Sequence, residues 1–187
     1  MKTKFAALIA LLSTPSLALA HPGHEHHSFS SGLVHPVTGV DHLIMLIAFG
    51  LLIGCVAVAN KQKIALMSGG IASLMLGLFA GQWFGFSTIV EPAIIASLFV
   101  VSLGLWQAFS PSTTRVNMAL AASIAMLFFH GYAHGVEATG SVSQFAAGML
   151  ISATVLMVAG SAAGQLVRSK WLSVGVASAS VLLLLAS

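Results

Sequence analysis

The chain has 187 residues; 58% are hydrophobic, only 6% are charged, and the mean hydropathy is +1.01. An average soluble chain is about 25% charged, so this composition excludes a disordered chain, a soluble enzyme and a nucleic-acid binder together. The pI of 9.4 comes from seven Lys and Arg against four Asp and Glu. Two of those bases, Lys2 and Lys4, lie in a leader-like stretch, and without them no basic patch is left to attract a polyanion. Cys55 is the single cysteine and sits in an apolar run, so it reads as a packing residue and not as half of a disulfide.

Residues 1–20 have the parts of a secretory signal peptide: Lys2 and Lys4, an apolar run from Phe5 to Leu12, a break at Pro15, then Ala18-Leu19-Ala20. The competing reading is a membrane anchor, but that run falls well short of the ~20 residues that span a bilayer. Cleavage after Ala20 places His21 on the outer side of a bacterial inner membrane. Residues 21–39 then form a periplasmic His-rich tail and an entrance segment. The tail, His-Pro-Gly-His-Glu-His-His, carries His21, His24, His26 and His27. Such tracts bind metals loosely, so a metal-collecting arm and a dispensable polar spacer are both open readings.

Residues 40–187 predict an all-α, polytopic membrane bundle of six transmembrane helices. Charge, Pro and Gly divide this region into apolar stretches at about 40–59, 64–86, 90–109, 116–137, 143–167 and 171–187. Lys61 and Lys63, then Arg115, then Arg168 and Lys170 fall in alternate loops, and bases are retained on the cytoplasmic side during insertion. Glu25, Asp41, Glu91 and Glu137 fall on the other face or its rim. Both mature termini are therefore expected outside. Gly50 and Gly54, Gly77, Gly81 and Gly85, and Gly160 and Gly164 repeat at four-residue spacing, the pattern of close helix packing in membranes.

A charged group at membrane depth costs at least about 2.5 kcal/mol on insertion scales, so clustered polar residues need a reason. The first cluster is His35-Pro36-Val37-Thr38-Gly39-Val40-Asp41-His42, at the outer start of the first span. Pro36 in a first helical turn, with Thr38 or Asp41 capping or favouring the amino end, is the structural reading; it accounts for Asp41 better than for His42. The second cluster is His130-Gly131-Tyr132-Ala133-His134-Gly135-Val136-Glu137, at the outer end of the fourth span. At about 100° per residue His130, His134 and Glu137 share one stripe, which rises about 10 Å. That is too long for one ion to touch all three without unwinding, which the two glycines would permit. An i, i+4 pinch by His130 and His134, with Glu137 at the mouth, is the expected geometry. Hydrogen bonding to neighbouring helices is the bland alternative. Imidazole and carboxylate donors suit Ni2+, Co2+, Zn2+ or Cu2+ and not Mg2+ or Ca2+.

These two motifs resemble the HupE/UreJ family, membrane proteins associated with hydrogenase and urease maturation and regarded as nickel or cobalt permeases. The resemblance is carried by His35-Pro36 through Gly39, Asp41 and His42, and by His130-Gly131 with Ala133-His134-Gly135 and Glu137. It implies no permanent cofactor, a divalent metal ion as substrate, and metalloenzyme maturation proteins as partners besides the lipid bilayer. Tyr132 stands where the family pattern often has a further histidine.

Two rival classes differ in their requirements. An intramembrane zinc hydrolase needs a placed general base, but there is no His-Glu-x-x-His, and Gly131 follows His130. A haem-b electron carrier needs axial histidines on opposite sides of a macrocycle, which His42 and His134 could supply but an i, i+4 pair could not. The sequence reading favours a permease that admits a divalent transition metal, Ni2+ or Co2+ foremost, from periplasm to cytoplasm. No G-x-x-x-x-G-K-[ST] motif marks a phosphate-driven pump. A divalent ion falling through 100 mV gains about 4.6 kcal/mol, enough for downhill influx. If the tail is a collecting arm, deleting residues 21–27 weakens metal uptake at scarce metal and leaves it nearly unchanged at abundant metal, measured as radioisotope uptake by cells; inactivity at saturating metal would make the tail part of the path itself.

Overall fold

The computed structural model describes residues 29–56, 59–138 and 141–186, which are helical throughout apart from short connections. In chain order the helices are α1 (Phe29–Thr38), α2 (Val40–Cys55), α3 (Asn60–Phe84), α4 (Val90–Gln107), α5 (Thr113–Glu137), α6 (Val142–Val167) and α7 (Trp171–Ala186). The expected leader, residues 1–20, and His21, His24, His26 and His27 lie outside the described residues. Helices α2 to α7 coincide with the six apolar stretches, with ends displaced by a few residues. Four of them, α3 to α6, are each long and apolar enough to cross a membrane, and α1 with α2 is long and apolar enough only as a pair, bent by 79° at Gly39 as in a broken span or a re-entrant loop. The last helix, α7, is apolar but has 16 residues; it is about 24 Å long against a hydrocarbon core of about 30 Å. The protein is a polytopic helical membrane bundle.

The helix α1 corrects the reading of the entrance segment. Pro36 sits in the last turn of α1, not in the first turn of the following helix. Thr38 does not cap α2: its hydroxyl donates back to the carbonyl oxygens of Val34 and His35 at 3.3 and 3.2 Å. Gly39 occupies the N-cap in an extended conformation without a side-chain cap, and Asp41 lies in the first turn of α2, where a carboxylate is favoured by the helix dipole. Gly39 takes part in a backbone hydrogen bond on each side of the break. The Gly39 amide donates to His35 O at 2.9 Å, closing α1, and Gly39 O accepts from the Leu43 amide at 2.8 Å, opening α2.

Glycine sets the distance between the principal helix pairs. A methyl group at Gly77 or Gly81 of α3 would overlap the carbonyl oxygens of Phe128 and Tyr132, and one at Gly131 or Gly135 of α5 would overlap those of Leu74 and Leu78. The matched positions rise together along the chain, so α3 and α5 run in the same direction. Helices α2 and α6 repeat the arrangement: Gly50 and Gly54 meet Met157 and Ser161, and Gly160 and Gly164 meet Ile47 and Leu51. Gly32 and Gly148 similarly join α1 to α6. Gly85 departs from the expected packing role, since it ends α3 with φ +71° and a Cβ there would meet nothing within 4 Å. Cys55 is buried, as a packing residue should be, with its thiol 3.6 Å from Gly164 O.

The charges separate along the helix axes. Lys61 and Lys63 begin α3, Arg115 begins the parallel α5, and Arg168 and Lys170 connect α6 to α7. Lys170 Nζ stands 5.0 Å from the centroid of Trp106, near the end of α4, so all five bases gather at one end of the bundle. Asp41, Glu91 and Glu137 line a single cavity at the other. The glycine contacts lead to a stability prediction. Gly77→Val forces α3 from α5 and destabilises the protein by at least about 1–3 kcal/mol, the usual cost of overpacking, whereas Gly175→Ala, in open space, leaves thermal unfolding in detergent unchanged. Equal unfolding temperatures for both variants would show that the glycine contacts do not hold the bundle.

Candidate metal site

Three helices bring the candidate ligands together. α1 supplies His35 near its end, α2 supplies Asp41 and His42 in its first turn, and α5 supplies His130, His134 and Glu137 in its last two turns. In α5 each histidine directly precedes a glycine that faces α3. At about 100° per residue, pressing Gly131 and Gly135 against α3 turns His130 and His134 toward α2. The His42 ring centroid is 4.8 Å from that of His130 and 4.4 Å from that of His134. His35 approaches from the other side, 4.6 Å from His134 and 5.7 Å from His42.

The donor atoms form two overlapping triads. His35, His42 and His134 make one, and Asp41, His42 and His130 the other, with ligand atoms in each triad within 4.8 Å of one another. His42 belongs to both. His130 and His134 are thus distributed between two triads, in place of the expected i, i+4 pinch, and α5 stays helical through Gly131 and Gly135 without the unwinding those glycines would permit. The triads differ in depth. His35 and His134 line an open cavity of about 510 Å3 together with Glu91 and Glu137, and a second of about 320 Å3 beside Phe145. His130 lines neither and is 1% exposed.

Hydrogen bonding leaves nitrogen atoms facing this cluster. His42 Nδ1 lies 2.9 Å from Asp41 Oδ1, where it donates to the carboxylate and keeps the Nε2 lone pair free. His42 Nε2, His130 Nδ1 and His134 Nδ1 are all buried without a hydrogen-bond partner. A buried polar atom left unsatisfied costs about 1–3 kcal/mol, and three in one cluster call for a common partner such as an ion or water. Tyr132, between the two histidines of α5, turns away: its hydroxyl donates to Gly85 O at 2.9 Å. The same ring geometry removes the haem reading. Axial imidazoles face each other across a macrocycle, and rings 4.4 Å apart leave no room for one.

Two residues at this site were not among the expected ligands. Glu91, read from the sequence only as a marker of the outer face, lines the larger cavity. Ser97 of α4 is fully buried with its Oγ 2.8 Å from His130 Nε2. Glu91 had a sequence signal, an acid at the same rim as both motifs; Ser97 had none, because serine is scattered through all five later apolar stretches.

The HupE / UreJ protein family model matches residues 9–186, which include all seven described helices. Protein HupE of Rhizobium leguminosarum bv. viciae is 28% identical over 162 residues, covering 84% of this chain and 81% of that protein. No solved structure matches the chain. With its family match running through both histidine motifs and every helix that carries them, the chain belongs to the HupE/UreJ family.

Proposed function

We propose that this protein is a permease that admits a divalent transition metal, Ni2+ or Co2+ foremost, from the periplasm to the cytoplasm of a bacterial cell. The observation that carries the reading is the set of three buried, unpartnered imidazole nitrogens on His42, His130 and His134. Neutral imidazole with carboxylate suits borderline divalent ions, and family membership supports a nickel or cobalt role in general. The base-rich end faces the cytoplasm by the rule that retains Lys and Arg there, which puts the acid-lined cavity outside.

The mechanism follows from the order of the ligands. Glu91 and Glu137 at the cavity wall raise the local concentration of cations. The outer triad, His35, His42 and His134, exchanges part of the ion's water for imidazole nitrogen. Because His42 serves both triads, the ion passes to Asp41 and His130 while keeping one ligand throughout, so no step requires complete dissociation. Below lies a buried apolar cluster that includes Met45, Phe49 and Leu127. This supports an outward-facing state, from which release to the cytoplasm requires the helices to move.

Radioisotope uptake in cells tests the reading. His42→Ala abolishes uptake, since it removes a ligand from both triads, and His130→Ala and His134→Ala each reduce it strongly. If all three variants insert normally and transport at the parent rate, the histidines are structural and the reading fails. Asp41→Asn keeps the shape of the side chain but weakens its hold on His42 Nδ1–H, and it lowers metal affinity by about 10- to 100-fold, the usual loss when a ligand's supporting partner is removed; isothermal titration with Ni2+ measures this, and unchanged affinity contradicts the orienting role. Ligating imidazoles must be neutral, so protons compete with the metal for them. Uptake at limiting metal therefore falls as the outside pH is lowered. A rise instead would point to proton-driven symport.

A further inference from the structure

We infer that Ser97 is a positioning residue that holds His130 in its Nε2–H tautomer and so makes Nδ1 the atom that His130 presents to the metal. The inference rests on the metal-binding reading above and extends it to a helix, α4, that carries neither histidine motif. The Ser97 hydroxyl is fully buried and lies 2.5 Å from Ile94 O, to which it donates, and 2.8 Å from His130 Nε2. A hydroxyl has one proton and two lone pairs. With its proton directed to Ile94, the Ser97 oxygen is an acceptor toward His130, which must then carry its own proton on Nε2.

The other ring nitrogen gives an independent argument for the same assignment. His130 Nδ1 is buried and has no hydrogen-bond partner. Were the proton on Nδ1, a buried N–H would lack an acceptor, and the Ser97 hydroxyl would have to abandon Ile94 O to serve Nε2. The first change leaves a buried N–H unpaired, at about 1–3 kcal/mol, and the second gives up the short hydroxyl bond to Ile94 O. With the proton on Nε2, the unsatisfied group on the ring is the Nδ1 lone pair, and because His130 belongs to the triad with Asp41 and His42, that lone pair is what a cation there needs.

Ser97 thus mirrors Asp41 with opposite polarity along the ring. Asp41 accepts from Nδ1–H of His42 and exposes Nε2, while Ser97 accepts from Nε2–H of His130 and exposes Nδ1. Ligating histidines are commonly oriented in this way by an acceptor on the other nitrogen. The Ile94 hydrogen bond fixes the serine rotamer, and through it the rotation of α4 helps set the angle at which His130 meets the ion.

The test is a nitrogen NMR spectrum of metal-free full-length protein in lipid, labelled in histidine, with the His130 signals identified by their loss in His130→Gln. Neutral imidazole N–H and bare nitrogen resonate far apart, so the tautomer is read directly. The expected parent spectrum has His130 protonated on Nε2. In Ser97→Ala that preference is lost and Ni2+ affinity falls by about 10- to 100-fold, with Ser97→Thr, which restores an acceptor oxygen, recovering it. A parent protein with the proton on Nδ1, or a Ser97→Ala protein that retains either its tautomer or its affinity, overturns the inference. The parent spectrum needs neither a variant nor a metal. It therefore decides the matter even if Ser97→Ala does not fold, and a parent that binds no nickel refutes the permease reading separately.

Discussion

The site depends on backbone-to-backbone contact between helices that only glycine permits. Gly131 and Gly135 rest against the carbonyl oxygens of Leu74 and Leu78, while Gly77 and Gly81 rest against those of Phe128 and Tyr132. In lipid no hydrophobic force separates helix from solvent, so close packing of small residues supplies much of the association. Here the contact also fixes a rotation. Because His130 and His134 each precede a glycine, pressing the glycines into α3 leaves the imidazoles no choice but the interior face shared with α2. The same kind of contact between α2 and α6 holds His42 opposite them. Packing and ligand geometry are thus one constraint and not two.

That constraint brings polar groups to a depth where they are costly, and the surroundings offset only part of the cost. Asp41 satisfies one nitrogen of His42 and Ser97 one nitrogen of His130, leaving the remaining nitrogens aimed at one another. A protein using these histidines only to tie helices together would pair them with hydroxyls or carbonyls. Three unpartnered nitrogens and a carboxylate, with His42, His134 and Asp41 lining a cavity that also holds Glu91 and Glu137 and with His130 buried, form an arrangement that suits a cation. In the proposed mechanism, the sharing of His42 between triads orders the ligands from the open cavity to the buried His130.

Much of this was legible in the sequence because membrane insertion leaves strong marks. Apolar runs of spanning length located α2 to α7, and the one-sided placement of Lys61, Lys63, Arg115, Arg168 and Lys170 anticipated the separation of charge. The two histidine motifs pointed to the residues that meet. Other features left weaker marks. Helix α1 was hidden because its ten residues include Pro36 and follow a polar tract, so composition suggested an entrance segment. The two triads could not be read from α5 alone, since i, i+4 spacing describes one helix and the triads are defined by where α1 and α2 cross it. Gly131 and Gly135 suggested unwinding, but their lack of a side chain is used for proximity to α3 instead. Ser97 carries no signal at all in one dimension; its role exists only because α4 packs against His130.

The central claim is that the buried imidazoles are metal ligands. X-ray absorption at the nickel edge, on protein loaded with one equivalent of Ni2+ and lacking residues 21–27, tests it most directly. The account predicts at least two imidazole ligands with oxygen completing the shell, as the triads through His42 require. A shell of oxygen alone, without imidazole scattering, would contradict it.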